Sequence, residues 1–169
     1  MLPINDIIPD LRQRLRYQNI VILQAPPGAG KSTVLPLELR NEAWLRNQKI
    51  LMLEPRRLAA RSVALRMADL LQEEIGKTIG YQVRFENMTN ANTRIDVLTE
   101  GILTRKIQSD SSLEGVGFVI FDEFHERSLH ADLALALCLQ VQQLLRQDLR
   151  ILIMSATLEG EKLASTLKA

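Results

Sequence analysis

Gln24-Ala25-Pro26-Pro27-Gly28-Ala29-Gly30-Lys31-Ser32-Thr33 is a glycine-rich junction between two patterned segments. It follows Asn19-Ile20-Val21-Ile22-Leu23, a short apolar run rich in β-branched residues that predicts a buried strand. It precedes Val34-Leu35-Pro36-Leu37-Glu38-Leu39, where a helical pattern begins. A strand, a glycine-rich turn and Gly-Lys-Ser opening a helix are the context of a phosphate-binding loop. Gly28 and Gly30 let the backbone turn so that successive N–H groups point at an anion, and the helix N-terminus adds its dipole. Pro27, Gly28, Ala29, Gly30, Lys31, Ser32 and Thr33 then line a triphosphate. Lys31 reaches the β- and γ-phosphates, and the Ser32 hydroxyl ligates Mg²⁺. The pattern G-x-x-x-x-G-K-[ST] has Ala25 in place of its first glycine, and two prolines stiffen the approach instead. A nucleoside triphosphate is the implied ligand.

Working outward, the 169 residues suit one domain, 1–169, with a substantial core. A net charge of +1 forces no polyanionic partner, so any nucleic-acid contact requires local clusters of basic residues. Cys138 lies in an apolar helical run and reads as a small buried hydrophobe. One cysteine forms no internal disulfide. Residues 1–3 lead into polar positions with no apolar signal region, and no apolar run approaches about 18 residues. A cytoplasmic protein without membrane contact is expected; the sequence leaves the oligomeric state unspecified.

Strands are predicted over 19–25, 49–53, 78–85, 94–98, 118–121 and 150–154. Helices are predicted from a cap at Asn5-Asp6, from the phosphate loop to about Trp44-Leu45, and from Leu58 to about Leu71. Further helices are predicted over 101–107, 129–147 and 158–168. Pro36 is expected to bend the second helix. The segments 86–93 and 109–117 read as loops. Alternation of strands and helices implies right-handed βαβ units, hence an α/β fold with a parallel sheet flanked by helices on both faces. Such sheets bind ligands at the carboxyl ends of their strands, where the phosphate loop lies.

The apolar run Val119-Ile120-Phe121 ends in Asp122-Glu123. Opposite a phosphate loop, an aspartate at this place holds Mg²⁺ directly or through water. The adjacent glutamate orients and deprotonates the attacking water, close to the same ion.

Asp122-Glu123-Phe124-His125 with Glu126-Arg127-Ser128 resembles motif II of the DEAH/DExH-box helicases of superfamily 2, and Ser155-Ala156-Thr157 resembles their motif III. Pro55-Arg56-Arg57-Leu58-Ala59-Ala60 resembles motif Ia, Thr99-Glu100-Gly101-Ile102-Leu103 motif Ib, and 80–86 a segment between them. The motifs follow the family's order over nearly the whole chain; Phe124 stands where the family name has alanine. The resemblance implies a RecA-like P-loop NTPase domain of an ATP-dependent helicase. ATP would be the nucleotide, other NTPs being possible, with single-stranded nucleic acid as partner, RNA rather than DNA. Arg56, Arg57, Arg61, Arg84, Thr99 and Gly101 are implied contacts to its backbone. Guanidinium groups and helix N–H groups suit phosphates, and an aromatic content of 4% argues against extensive base stacking. Arg66 is implied to stack on the nucleotide base, with loose NTP selectivity as the consequence. His125 is implied to couple motif II to motif III or to a second domain, or else is a structural histidine. Ser155 and Thr157 are implied to bond to Asp122 or His125. His130 matches no motif. The family carries its arginine fingers on a second RecA-like domain, expected to lie outside this chain, so the isolated domain is expected to hydrolyse poorly.

Two competing readings remain open from the sequence. One is a P-loop ATPase or kinase acting on a small phosphorylated substrate; the other is a regulatory module that binds nucleotide without turnover, against which Glu123 argues.

Overall fold

The computed structural model describes residues 3–157 and 160–168. Its strands are β1 (Ile20–Gln24), β2 (Lys49–Glu54), β3 (Ile79–Val83), β4 (Glu86–Met88), β5 (Ile95–Thr99), β6 (Val116–Phe121) and β7 (Arg150–Ser155). Its helices are α1 (Ile8–Tyr17), α2 (Val34–Leu39), α3 (Arg57–Leu70), α4 (Glu100–Ser109), α5 (Leu129–Leu144) and α6 (Gly160–Leu167). The strands form one sheet in the order β1-β7-β6-β2-β5-β3-β4, parallel except for β4.

Period-two burial divides the core between the two faces. Ile50 and Met52 of β2, Phe118 and Ile120 of β6, and Leu152 and Met154 of β7 pack with α1, α2 and α3. Leu51 and Leu53, Val119 and Phe121, and Ile151 and Ile153 pack with α4 and α5, with Leu163 and Leu167 of α6 against them. Cys138 is fully buried in this second layer. The central strands are apolar on both sides because both sides are covered.

Several local expectations are corrected. Asn5 and Asp6 do not cap α1; they lie in a 3₁₀ turn, Pro3–Asp6, and the N-cap position is Ile7 without a side-chain bond. Lys31–Ser32–Thr33 form a turn, and α2 begins only at Val34. Pro36 therefore falls in the first turn, where its missing N–H removes no helical hydrogen bond and imposes no bend. The helix ends at Leu39, and a separate 3₁₀ turn spans Ala43–Leu45. The polar segment after Phe85 is not wholly loop. Glu86–Met88 pairs antiparallel with β3 through a two-residue turn, Arg84-Phe85, with Phe85 at φ 68°. Composition hides this seventh strand because an edge strand with little burial needs no apolar alternation. α5 ends at Leu144, three residues short of the predicted end at 147. The predicted start of the last helix at Leu158 lies outside the described residues.

Candidate functional site

The site assembles at the carboxyl ends of β1, β7, β6 and β2, which are neighbours in the sheet. The loop after β1 is held at both ends. The Ala25 N–H donates to the Ser155 carbonyl at 3.1 Å, and the Ala29 carbonyl accepts from the Ile4 N–H at 3.1 Å. Gly28 and Gly30 take φ of 77° and 88°, the left-handed region that glycine enters without steric cost. A methyl added at Gly28 would meet nothing within 4 Å, so space lies over the loop.

Lys31 is 2% exposed. Its Nζ lies 3.3 Å from the Ala25 carbonyl and 3.4 Å from Glu123 Oε1. An ammonium has three donors, so these two partners leave capacity for a phosphate oxygen. Ser32 Oγ donates to Asp122 Oδ2 at 2.6 Å. A hydroxyl and a carboxylate in contact at the mouth of a phosphate loop are hard oxygen donors of the kind Mg²⁺ takes, alongside waters and phosphate oxygens. The residues present fit Mg²⁺–nucleotide. Asp122 is fixed from behind: its N–H donates to the Leu53 carbonyl of β2 at 3.0 Å, and its Oδ1 accepts the Glu123 N–H at 2.9 Å.

Glu123 has φ 52° and ψ 36°, left-handed backbone in a non-glycine residue. Such a conformation costs roughly 1–2 kcal/mol and turns the chain sharply between β6 and the 3₁₀ turn Phe124–Glu126. One carboxylate oxygen faces Lys31; the other, Oε2, lies 3.1 Å from His125 Nε2. His125 Nδ1 accepts the Ala156 N–H at 3.1 Å, so the proton sits on Nε2 and is donated to Glu123. Motif III thus meets motif II through the Ala156 backbone. The Ser155 and Thr157 hydroxyls lie 3.4 Å from each other, with Ser155 Oγ accepting the Thr157 N–H at 3.3 Å. Among the described residues neither hydroxyl bonds Asp122 or His125. Glu123, His125 and Glu126 also bring three ligand-type atoms within 4.8 Å of one another. Both nitrogens of this imidazole are already engaged, and the oxygen pair Ser32–Asp122 is the better Mg²⁺ site.

Glu54 was not visible as a site residue in the sequence. It is 2% exposed at the end of β2, and its Oε1 has no hydrogen-bond partner among the described residues. Burial, then its hydrogen bond to Asp122 and that carboxylate's charge, push the Glu54 carboxyl up to about 11. An acid closing an otherwise apolar strand is the signal that marks it.

The remaining predicted residues spread along the same sheet edge toward β3. Arg56 is the N-cap of α3, Arg57 its first residue and Arg61 one turn on, exposed like Arg57. Thr99 is the N-cap of α4, and Gly101 is exposed in its first turn, where an added methyl would meet nothing within 4 Å. Arg84 stacks on Phe85, 4.8 Å from the ring centroid, at the tip of the β3–β4 hairpin. Phe85, 89% exposed, is an aromatic that sequence reasoning missed. β5 stands four strand spacings from β1 in the sheet order, roughly 19 Å, so this edge is separate from the phosphate loop. Arg66 is exposed on α3, and among the described residues no hydrogen bond or ion pair ties it to the phosphate loop. His130 is exposed in the first turn of α5.

A family model described as DEAD/DEAH box helicase matches residues 6–166. The chain is 57% identical over 166 residues to the "ATP-dependent RNA helicase HrpB" of Escherichia coli, covering 98% of this chain and 20% of that protein. It is 36% identical over 161 residues to an "ATP-dependent RNA helicase HrpA homolog" of Haemophilus influenzae, covering 95% of this chain and 12% of the relative. A crystal structure of the E. coli DEAH/RHA helicase HrpB superposes with a TM-score of 0.95 at 56% identity, over 99% of this chain and 21% of that one. The chain thus spans about a fifth or less of the length of these relatives. The expected RecA-like sheet is the fold the two share.

Proposed function

This chain belongs to the DEAD/DEAH box helicase family, and from that premise we propose that it is the nucleotide-binding, first RecA-like domain of an ATP-dependent RNA helicase. The observation that carries the reading is the joining of two distant motifs. Ser32 meets Asp122 at 2.6 Å and Lys31 meets Glu123 at 3.4 Å across 90 or more residues of sequence. A binding-only module has no use for a second carboxylate held beside the lysine.

In this reading the N–H groups of the phosphate loop and Lys31 hold the β- and γ-phosphates, while Ser32 and Asp122 hold Mg²⁺, with Glu123 close by. The metal, when bound, neutralises charge that develops on the phosphoryl oxygens. Glu123 orients a water toward the γ-phosphorus and accepts its proton. His125, fixed by the Ala156 N–H, donates to the other oxygen of Glu123 and keeps that carboxylate aimed. Arg66 stacks on the base, so ATP shares the site with other NTPs. Arg56, Arg57, Arg61, Arg84, Thr99 and Gly101 take the backbone of single-stranded nucleic acid, RNA in preference to DNA, with a strong salt dependence. Phe85 adds a stacking surface beside Arg84. Arginine fingers come from a second RecA-like domain of the same full-length protein, and the site of action is the cytoplasm. No helix among the described residues is long and apolar enough to cross a membrane.

The comparisons do not favour a kinase or ATPase for a small phosphorylated substrate. The test is ATP-dependent strand displacement of an RNA duplex with a single-stranded overhang. The full-length protein should displace the strand, and this chain alone should not. Displacement by the isolated chain at the full-length rate, or none by the full-length protein, overturns the proposal.

A further inference from the structure

One residue of motif II stands between the Glu123–His125 pair and the edge assigned above to nucleic acid. Glu126 Oε2 accepts from Arg56 Nη1 at 2.8 Å. The pair joins the last residue of the 3₁₀ turn Phe124–Glu126 to the N-cap of α3. Both side chains meet solvent, 64% exposed for Arg56 and 32% for Glu126. Carboxylate and phosphate oxygens present the same kind of acceptor to a guanidinium. The backbone of Glu126 is also tied to the catalytic carboxylate's residue: its N–H donates to the Glu123 carbonyl at 3.0 Å.

We propose that Glu126 is an internal stand-in for a nucleic-acid phosphate, holding Arg56 when no nucleic acid is bound and surrendering it when a backbone phosphate arrives. The inference rests on Arg56 being a nucleic-acid contact. The strength of the pair decides that it can act this way. An exposed ion pair is worth a factor of roughly two to five, small enough for a phosphate in a basic cluster to displace. Glu126 therefore sets the threshold for nucleic-acid binding. Its release loosens the side of the turn that closes on Glu123, and so carries the signal of occupancy to the residue beside Lys31. A second bond from the same segment, Ser128 Oγ to Glu100 Oε2 at 3.3 Å, keeps the start of α5 attached to α4 while the turn responds.

The test is a double-mutant cycle in the full-length protein, read by anisotropy of a fluorescein-labelled oligouridylate. Arg56→Ala should weaken binding. Glu126→Gln, which keeps size and loses charge, should tighten it about two- to fivefold, and in the Arg56→Ala background its effect should vanish. The oligouridylate concentration for half-maximal ATPase stimulation should fall by the same factor in Glu126→Gln. If Arg56→Ala leaves binding intact, the assignment of Arg56 to nucleic acid fails and the inference with it. If Arg56→Ala weakens binding but Glu126→Gln does not tighten it, the stand-in role alone is overturned. Equal tightening with and without Arg56 also overturns it, since that is the general effect of removing a negative charge.

Discussion

Replacing Glu123 by Gln separates nucleotide binding from turnover. The substitution keeps the side-chain shape and removes the charge that faces Lys31 at 3.4 Å. At an effective dielectric near 20 that attraction is worth about 5 kcal/mol, an upper bound because 24% of the Glu123 side chain meets solvent. In the nucleotide-free protein this attraction competes with the triphosphate for the ammonium, so its loss does not weaken ATP. The dissociation constant for ATP should stay within about threefold, under 1 kcal/mol, or fall. Turnover loses the group that takes the proton of the attacking water, and should drop roughly a hundred- to ten-thousandfold. Equilibrium titration with a fluorescent ATP analogue and a phosphate-release assay on the full-length protein give both numbers. Turnover within about threefold of wild type would remove Glu123 from the chemistry. A large loss of ATP affinity with turnover preserved at saturation would make it a binding residue instead.

Asp122→Asn should shift the Mg²⁺ titration of ATP binding to concentrations about tenfold higher or more, measured against an EDTA control; an unshifted curve contradicts the Ser32–Asp122 assignment. Asp96, buried in β5, has its carboxyl pushed above the usual range by burial, partly offset by Lys106 and the Gln82 hydrogen bond. Its folded-state pKa is raised, so the stability tied to the proton is complete below about pH 4 and is lost as pH rises through the folded value. Asp96→Asn should therefore gain stability relative to wild type as the pH rises above the usual carboxylate range, read in denaturant titrations, and a pH-independent difference contradicts this. Phe118 is fully buried and meets Trp44 edge-on at 5.2 Å. Phe118→Ala should cost about 3–5 kcal/mol of unfolding free energy, read from the same titrations, and a cost under about 1 kcal/mol would mean the core collapses around the gap.

The parallel core was legible because buried strands are written as unbroken apolar runs, and β1, β2, β6 and β7 all have them. The two halves of the candidate site, which meet in the structure, were legible because loop and acidic pair each follow such a strand. β4 was not, since a short edge strand of Glu86, Asn87 and Met88 carries no burial pattern. The late start of α2 was not, because the same Gly-Lys-Ser opens a helix or a turn according to how the loop is anchored at Ala25 and Ala29. Glu54 and Glu126 escaped for a shared reason. Their neighbours lie 68 and 70 residues away, Asp122 and Arg56 respectively, and beyond the lone acid that closes β2 no local pattern encodes such pairs. For His125 the sequence left its partner open, and the contact observed is with the Ala156 N–H, a group present at every residue but proline.

A site built from Lys31, Ser32, Asp122 and Glu123 in a nucleic-acid-driven ATPase should respond to nucleic acid. The most direct test is Mg²⁺-dependent ATP hydrolysis by the full-length protein, titrated with single-stranded RNA and then with single-stranded DNA of the same sequence. Stimulation should be saturable with RNA, weaker with DNA, and diminished by salt. Hydrolysis that proceeds at the same rate with and without either nucleic acid would contradict it.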